Sequence, residues 1–186
     1  MPIKYKKQTQ VATRGSIWQR PLPGIVTVIT LLILTAMVLW IGHAGRVGII
    51  FSESMEPTLI SGDRYIIRID AYKTASPRVG DIVVIKHPQQ HELLVKRVLG
   101  VGGDEVGVFS GSVWLNGKWL EEPYLKQEEG VRERPISIIV PQDELFLMGD
   151  NRNHSEDSRD IGTLSTKQVI GKVVAIVWPW DRRQKL

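Results

Sequence analysis

The chain of 186 residues contains no cysteine. Disulfides and thiolate-held metals are thereby excluded, while the compartment stays open, because exported proteins can also do without cysteine. Acidic residues are missing from the N-terminal segment: Lys4, Lys6, Lys7, Arg14 and Arg20 all precede the first of them, Glu53. That leaves a purely basic tail, for which nucleic acid is the lesser reading. There is no internal repeat and no low-complexity block, and after Gly42 no stretch sustains the 3.6-residue apolar period of a packed helix. What is present suits a folded protein. A hydrophobic fraction of 42% and a charged fraction of 24% can build a core. The length fits one membrane-anchored or one compact soluble domain and leaves little room for a second large one.

Only one long apolar run exists. Residues 1–20 are polar and basic without periodicity and read as a solvated tail; Pro21-Leu22-Pro23-Gly24 marks a boundary. From Ile25 to Ile41 every residue is apolar or threonine, and with its flanks the run reaches the roughly 20 residues a helix needs to cross a bilayer. Threonine hydroxyls can bond back to the helix backbone, and Trp40 lies at the end where an indole prefers the interface. The run exceeds the usual apolar core of a cleavable signal peptide, and Gly42-His43-Ala44 is a poor cleavage site. A buried core helix would need covering on all sides, which so small a domain can hardly provide. The expectation is a single uncleaved anchor over residues 21–42. The positive-inside rule leaves the basic tail in the cytoplasm and a domain over residues 43–186 outside.

That domain reads as β structure. Short apolar runs at Tyr65–Ile69, Ile82–Lys86, Leu93–Leu99, Glu105–Phe109, Ile136–Val140, Glu144–Met148 and Val169–Trp178 are separated by turn residues. Asn116-Gly117 between two further runs is a strong hairpin signal, because both residues tolerate positive φ. The spacing predicts an all-β barrel or pair of sheets.

Chemistry concentrates in three places. Ser54, in Ser52-Glu53-Ser54-Met55-Glu56-Pro57-Thr58-Leu59, sits in a turn-like segment that displays its side chains. Serine alone is commonly only a turn residue, so Ser54 needs a base. Among the histidines, His154 near Asp157 and Ser158 best suits a Ser-His-Asp arrangement. His87 and His91 have metal-pair spacing but flank a polar turn, so no metal is expected. In the strand around Lys96, alternation puts Leu94, Lys96 and Val98 on one face and Val95, Arg97 and Leu99 on the other. Arginine cannot release its proton, whereas a lysine desolvated among aliphatic neighbours can approach neutrality. Lys96 is the cation that can serve as a base; the commoner reading of such a lysine is a stem packed on the sheet with its ammonium in water. The third place is Gly149 to Gly162, dense in Asp, Asn, Arg and Ser, which reads either as a solvated loop or as short polar side chains suited to orienting an amine, and composition alone does not decide between them. Ile49, Ile50, Phe51 and Met55 are candidates for an interfacial or groove-lining surface, with a packed strand as the competing reading for the first three.

Four ordered segments together resemble the bacterial type I signal peptidases, membrane-bound serine proteases: Ser52 to Leu59, Gly62-Asp63, Lys96-Arg97-Val98 leading to Gly103-Asp104, and Gly149-Asp150-Asn151-Arg152 through Gly162. The resemblance implies a mostly β, two-lobed domain behind a single N-terminal transmembrane helix. It makes Ser54 the nucleophile and Lys96 the general base, with the Ser52 hydroxyl and the Ser54 backbone N–H as the oxyanion hole. Ser155 then orients the lysine, and Asp150, Asp157, Arg159 and Arg97 brace the site. No cofactor is implied. The implied partners are preprotein signal peptides, the lipid bilayer and, transiently, the secretion machinery. Phe51 and Val101-Gly102-Gly103 depart from the family's usual residues without removing a reacting group. Two other readings stay open: a specialised Ser-Lys peptidase maturing one pilin or conjugation precursor, and an inactive membrane-anchored binding domain.

Overall fold

The computed structural model describes residues 23–43, 45–125 and 135–186; the basic tail over residues 1–20 lies outside them. The described residues fall into two units, a helix that ends at His43 and a β unit that continues to Leu186. Helix α1 runs over 21 residues, Pro23–His43. Thr30 and Thr35 donate their hydroxyls to the carbonyls of Val26 (2.9 Å) and Leu31 (2.7 Å), which satisfies them without leaving the helix. Side chains along α1 are described for residues 24–36, so the Trp40 indole lies outside. Among the described residues no helix is long and apolar enough to cross a membrane.

Among the described residues the β unit contains two antiparallel sheets. In chain order its strands are β1 (Arg46–Ile49), β2 (Arg64–Arg68), β3 (Ile82–Lys86), β4 (Leu93–Val101), β5 (Glu105–Phe109), β6 (Ser112–Leu115), β7 (Lys118–Trp119), β8 (Ile136–Ile139), β9 (Glu144–Met148), β10 (Leu164–Ser165), β11 (Val169–Trp178) and β12 (Gln184–Lys185). The larger sheet has the order β1-β2-β11-β3-β4-β9-β10, with β12 paired to β11; the smaller has the order β7-β6-β5-β8. The sequence reading locates most of these strands within a residue or two. It misses β1, β10 and β12, which carry too few alternating residues to show a period.

β3 is central because Ile82, Val83, Val84 and Ile85 are all buried, so both of its faces must be covered. One face joins Ile50, Met55, Leu59, Tyr65, Ile67, Val173 and Ile176. The opposite face, through Val83 and Ile85, packs with Val98, Leu145, Leu147 and Leu164. A third cluster lies under the small sheet, built on Val106, Val108, Val113, Phe146 and Met148. In the β6–β7 hairpin, Asn116 and Gly117 both have positive φ, 50° and 88°, as the Asn-Gly signal predicts.

The apolar residues before the Ser54 segment divide between two fates. Ile50 is buried in the core, whereas Ile49 is 44% and Phe51 85% exposed. Met55 is a correction to the interfacial reading, for it is 1% exposed. An unbranched side chain inside a tight loop fills the gap beneath the loop and ties it to the sheet.

Candidate active site

The segment bearing Ser54 is a closed loop. Its neck is sealed by Ile50 N–H to the Asp63 carbonyl (2.9 Å) and Gly62 N–H to the Ile50 carbonyl (2.9 Å). Inside, Glu56 N–H donates to the Glu53 carbonyl (3.0 Å) and Leu59 N–H to the Met55 carbonyl (2.9 Å), so the chain turns tightly around Ser54. Met55 and Leu59, both buried in the core, pin the underside of this turn. Ser54 is 8% exposed, and its hydroxyl pairs with that of exposed Ser52 at 3.3 Å.

Lys96 reaches the site from β4. Its residue is 3% exposed, and its strand position faces Val83 of β3. Burial lowers the amine from 10.5 to about 8, with the nearby Arg159 charge acting the same way and Asp157 and Glu156 opposing it. Nζ donates to Ser155 Oγ at 2.9 Å, and Ser155 Oγ donates to Asp157 Oδ2 at 2.7 Å. Among the described residues this is the one hydrogen bond of the amine, so Lys96 has a hydroxyl rather than a carboxylate as its direct neighbour. The Ser54 and Lys96 side chains each bond to another serine and not to one another.

Asp157 is the fixed point of this row. Its carboxylate takes Arg159 Nε (2.8 Å) and Nη2 (2.9 Å), together with the N–H of Gly149 at 2.9 Å. Burial would push its carboxyl upward, but the Arg159 guanidinium and these donors hold it below the usual carboxylate range. Asp157 also caps the short helix α2 (Ser158–Ile161), with Asp160 completing a capping box.

Gly149, at the end of β9, joins the two halves. A Cβ there would collide with Ser155 Oγ and with the Ser54 carbonyl, so the Ser54 backbone and the hydroxyl that Lys96 bonds meet at one point. The next residues stitch the loops together. Asn151 donates its backbone N–H to the Ser54 carbonyl (3.0 Å) and its side-chain amide to the Glu53 carbonyl (3.1 Å).

Arg97, on the face of β4 opposite Lys96, forms a fork with Asp150: Nε to Oδ1 at 2.8 Å and Nη2 to Oδ2 at 2.7 Å. Arg97 Nη1 also donates to the Gly80 carbonyl at 3.0 Å, and the guanidinium lies 3.7 Å from the Tyr124 ring centroid. Burial alone would lower its pKa, but the Asp150 carboxylate raises it. Three participants escape the sequence reading. Thr58 donates its hydroxyl to Asp150 Oδ2 at 2.5 Å, Tyr124 stacks on Arg97, and Glu122 pairs with Arg152, which also donates to the Gly111 carbonyl. The Asp-rich loop signals that charges cluster there, but long-range pairing is invisible in a single sequence.

The histidine alternatives are not assembled. His154 is exposed and faces Asn151, while Ser158 Oγ is buried and accepts the Leu147 N–H at 2.9 Å. His87 Nδ1 accepts the N–H groups of Gln89 (3.1 Å) and Gln90 (3.0 Å), so that nitrogen caps its own turn.

Residues 22–178 match the family described as signal peptidase, peptidase S26. A probable signal peptidase I-2 of Synechocystis sp. is 37% identical over 158 residues, 80% of this chain and 72% of that protein. Signal peptidase IB of Staphylococcus aureus is 37% identical over 145 residues, 69% of this chain and 75% of the relative. A crystal structure of a signal peptidase I from Enterococcus faecalis V583 aligns with 26% identity and a TM-score of 0.48, covering 52% of this chain and 96% of that one.

Proposed function

The chain belongs to the signal peptidase family, peptidase S26, and removes signal peptides as a serine endopeptidase; from that premise we propose that Ser54 is its nucleophile and Lys96 the general base. The observation that carries the assignment is the state of Lys96, a buried amine lowered to about 8. It is aimed by Ser155 and, among the described residues, shares no direct bond with a carboxylate.

A lysine of that kind is neutral often enough near physiological pH to accept a proton. On substrate binding the Ser54 hydroxyl turns from Ser52 towards Nζ; catalytic hydrogen bonds are often unformed until the complex assembles. Lys96 takes the Oγ proton as Oγ attacks the scissile carbonyl carbon, and the resulting ammonium then protonates the leaving amine. An acyl-enzyme remains on Ser54, and water activated by the again neutral lysine releases it. The Ser54 backbone N–H and the Ser52 hydroxyl, 3.3 Å from Ser54 Oγ, receive the charge that develops on the carbonyl oxygen. Ser155 and Asp157 aim the amine, while Arg159, Arg97 and Asp150 hold the two loops.

The substrate is read as a preprotein presented in extended form and cut after small residues at the first and third positions before the bond. The apolar run from Ile25 to Ile41 is what supports a membrane anchor, since with its flanks it reaches the roughly 20 residues a spanning helix needs. With Lys4, Lys6, Lys7, Arg14 and Arg20 before the run and Arg46 alone close behind it, the proposed topology is a cytoplasmic tail (1–20), an anchor (21–42) and an extracytoplasmic domain (43–186). Bilayer lipid and, transiently, the secretion machinery are the further proposed partners.

Precursor cleavage in detergent tests the dyad. Ser54→Ala and Lys96→Arg are expected to abolish cleavage, and Ser52→Ala to lower turnover by about 10²–10³-fold. Cleavage at the wild-type rate by either of the first two variants would remove that residue from the chemistry.

A further inference from the structure

Arg182 lies beyond residue 178, where the family match ends. It sits in the 3₁₀ turn Trp180–Arg182 that follows β11. Its guanidinium nevertheless reaches back to the loop that carries Ser54. Nε donates to Asp63 Oδ1 at 3.0 Å and Nη2 to Asp63 Oδ2 at 3.0 Å. The same Nη2 lies 3.3 Å from the Thr58 carbonyl and 3.4 Å from the Pro57 carbonyl. We propose that Arg182 is a positioning residue for the reaction, one that sets where the Ser54 turn stands relative to the strand bearing Lys96; the inference rests on Ser54 being the nucleophile.

Asp63 explains why a cation is needed. Its side chain is completely buried, and Oδ2 also accepts the Ile60 N–H at 3.0 Å. A buried carboxylate without a counter-charge is costly, and Arg182 supplies that charge. Taken alone, this pair would be structural. The two carbonyls make it more, because Pro57 and Thr58 lie between the Ser54 turn and the neck of the loop. On the far side of the same segment, the Thr58 hydroxyl bonds to Asp150, which Arg97 grips from the position next to Lys96. Residues 57–58 are thus held from both sides, by Arg182 from the C-terminal turn and by the Asp150–Arg97 pair from β4. Slack on the Arg182 side shifts Ser54 against Lys96 without touching either side chain. A lysine would restore the charge but not the fork that spans a carboxylate and two carbonyls.

The test uses the full chain in detergent, cleaving a precursor with an Ala-x-Ala site. Wild type is compared with Arg182→Lys, Thr58→Val, the double variant, Ser54→Ala and, as a control, Arg183→Gln. Arg183 stacks over Trp180, its guanidinium carbon 4.6 Å from the ring centroid. Arg182→Lys is expected to lower kcat about 10–100-fold with KM held within about twofold, while circular dichroism at the assay temperature shows a folded protein. The pH at which activity rises should stay where wild type has it. Thr58→Val should also lower kcat, and the double variant should lose much less than the product of the two, since both act on one segment. Arg183→Gln should cleave like wild type. A wild-type kcat for Arg182→Lys, a loss matched by its unfolded fraction, or independent losses in the double variant would overturn the proposal. Cleavage by Ser54→Ala would remove the nucleophile assignment and this inference with it. An inert Ser54→Ala beside a fully active Arg182→Lys would defeat the clamp alone.

Discussion

In the proposed mechanism Lys96 can act as a base because the fold makes its proton expensive to keep. The strand sets Lys96 opposite Val83 and buries it, and desolvation lowers its amine to about 8 from 10.5. Two consequences follow at this one residue. The rate of cleavage should rise about tenfold per pH unit up to pH 8 and level off above it, which a kcat/KM profile on a precursor checks. Stability should follow the same proton. Between pH 8 and 10.5 the unfolded chain holds a proton that the folded chain has released, so stability rises with pH across that window. Below it the fold bears the whole cost of a buried ammonium, on the order of 3 kcal/mol. Lys96→Met, inactive, is therefore expected to gain about 1–3 kcal/mol at pH 6 in urea unfolding. The gain should vanish near pH 10.5.

At the scale of elements, the site is an assembly of strand ends and two loops with a glycine between them. β4 delivers Lys96 and Arg97 to opposite faces, so one strand serves both the proposed base and the Asp150 pair. β9 ends at Met148, and Gly149 then passes so close to Ser54 and Ser155 that any side chain there forces the loops apart. Gly149→Ala should lower kcat by at least about 100-fold, as a displacement near 1 Å does in a site of this kind. Its melting temperature should fall modestly, and precursor cleavage together with thermal unfolding separates the two effects. Asp157 links the same region to α2, so the helix cap and the row from Lys96 through Ser155 share one carboxylate.

The whole molecule combines an apolar helix with a β unit, and the proposed topology fixes which side of a bilayer meets substrate. The absence of cysteine makes this directly measurable. Gln8→Cys and Ser61→Cys each introduce a single thiol into an otherwise thiol-free chain, the second at an exposed position. In intact cells a membrane-impermeant maleimide should label Ser61→Cys and reach Gln8→Cys only after lysis. The opposite pattern would invert the orientation, and equal labelling of both would remove the anchor.

The short-range pattern in the sequence determined a good deal. Ile82–Lys86, Glu105–Phe109, Glu144–Met148 and Val169–Trp178 are strands where the apolar residues place them, because burial against a sheet selects that local pattern. Asn116-Gly117 is a hairpin turn for the same local reason. Alternation also separated Lys96 from Arg97. What only the tertiary structure decided is pairing over long separations. The partners of Asp150 are Arg97 and Thr58, that of Asp63 is Arg182, and that of Lys96 is Ser155. Each bond depends on where distant loops come to rest on a shared core, which no local spacing encodes. Met55 shows the same limit. Its neighbours in sequence suggest a surface, and the core beneath the turn claims it instead, because a closed loop has an inside that must be filled.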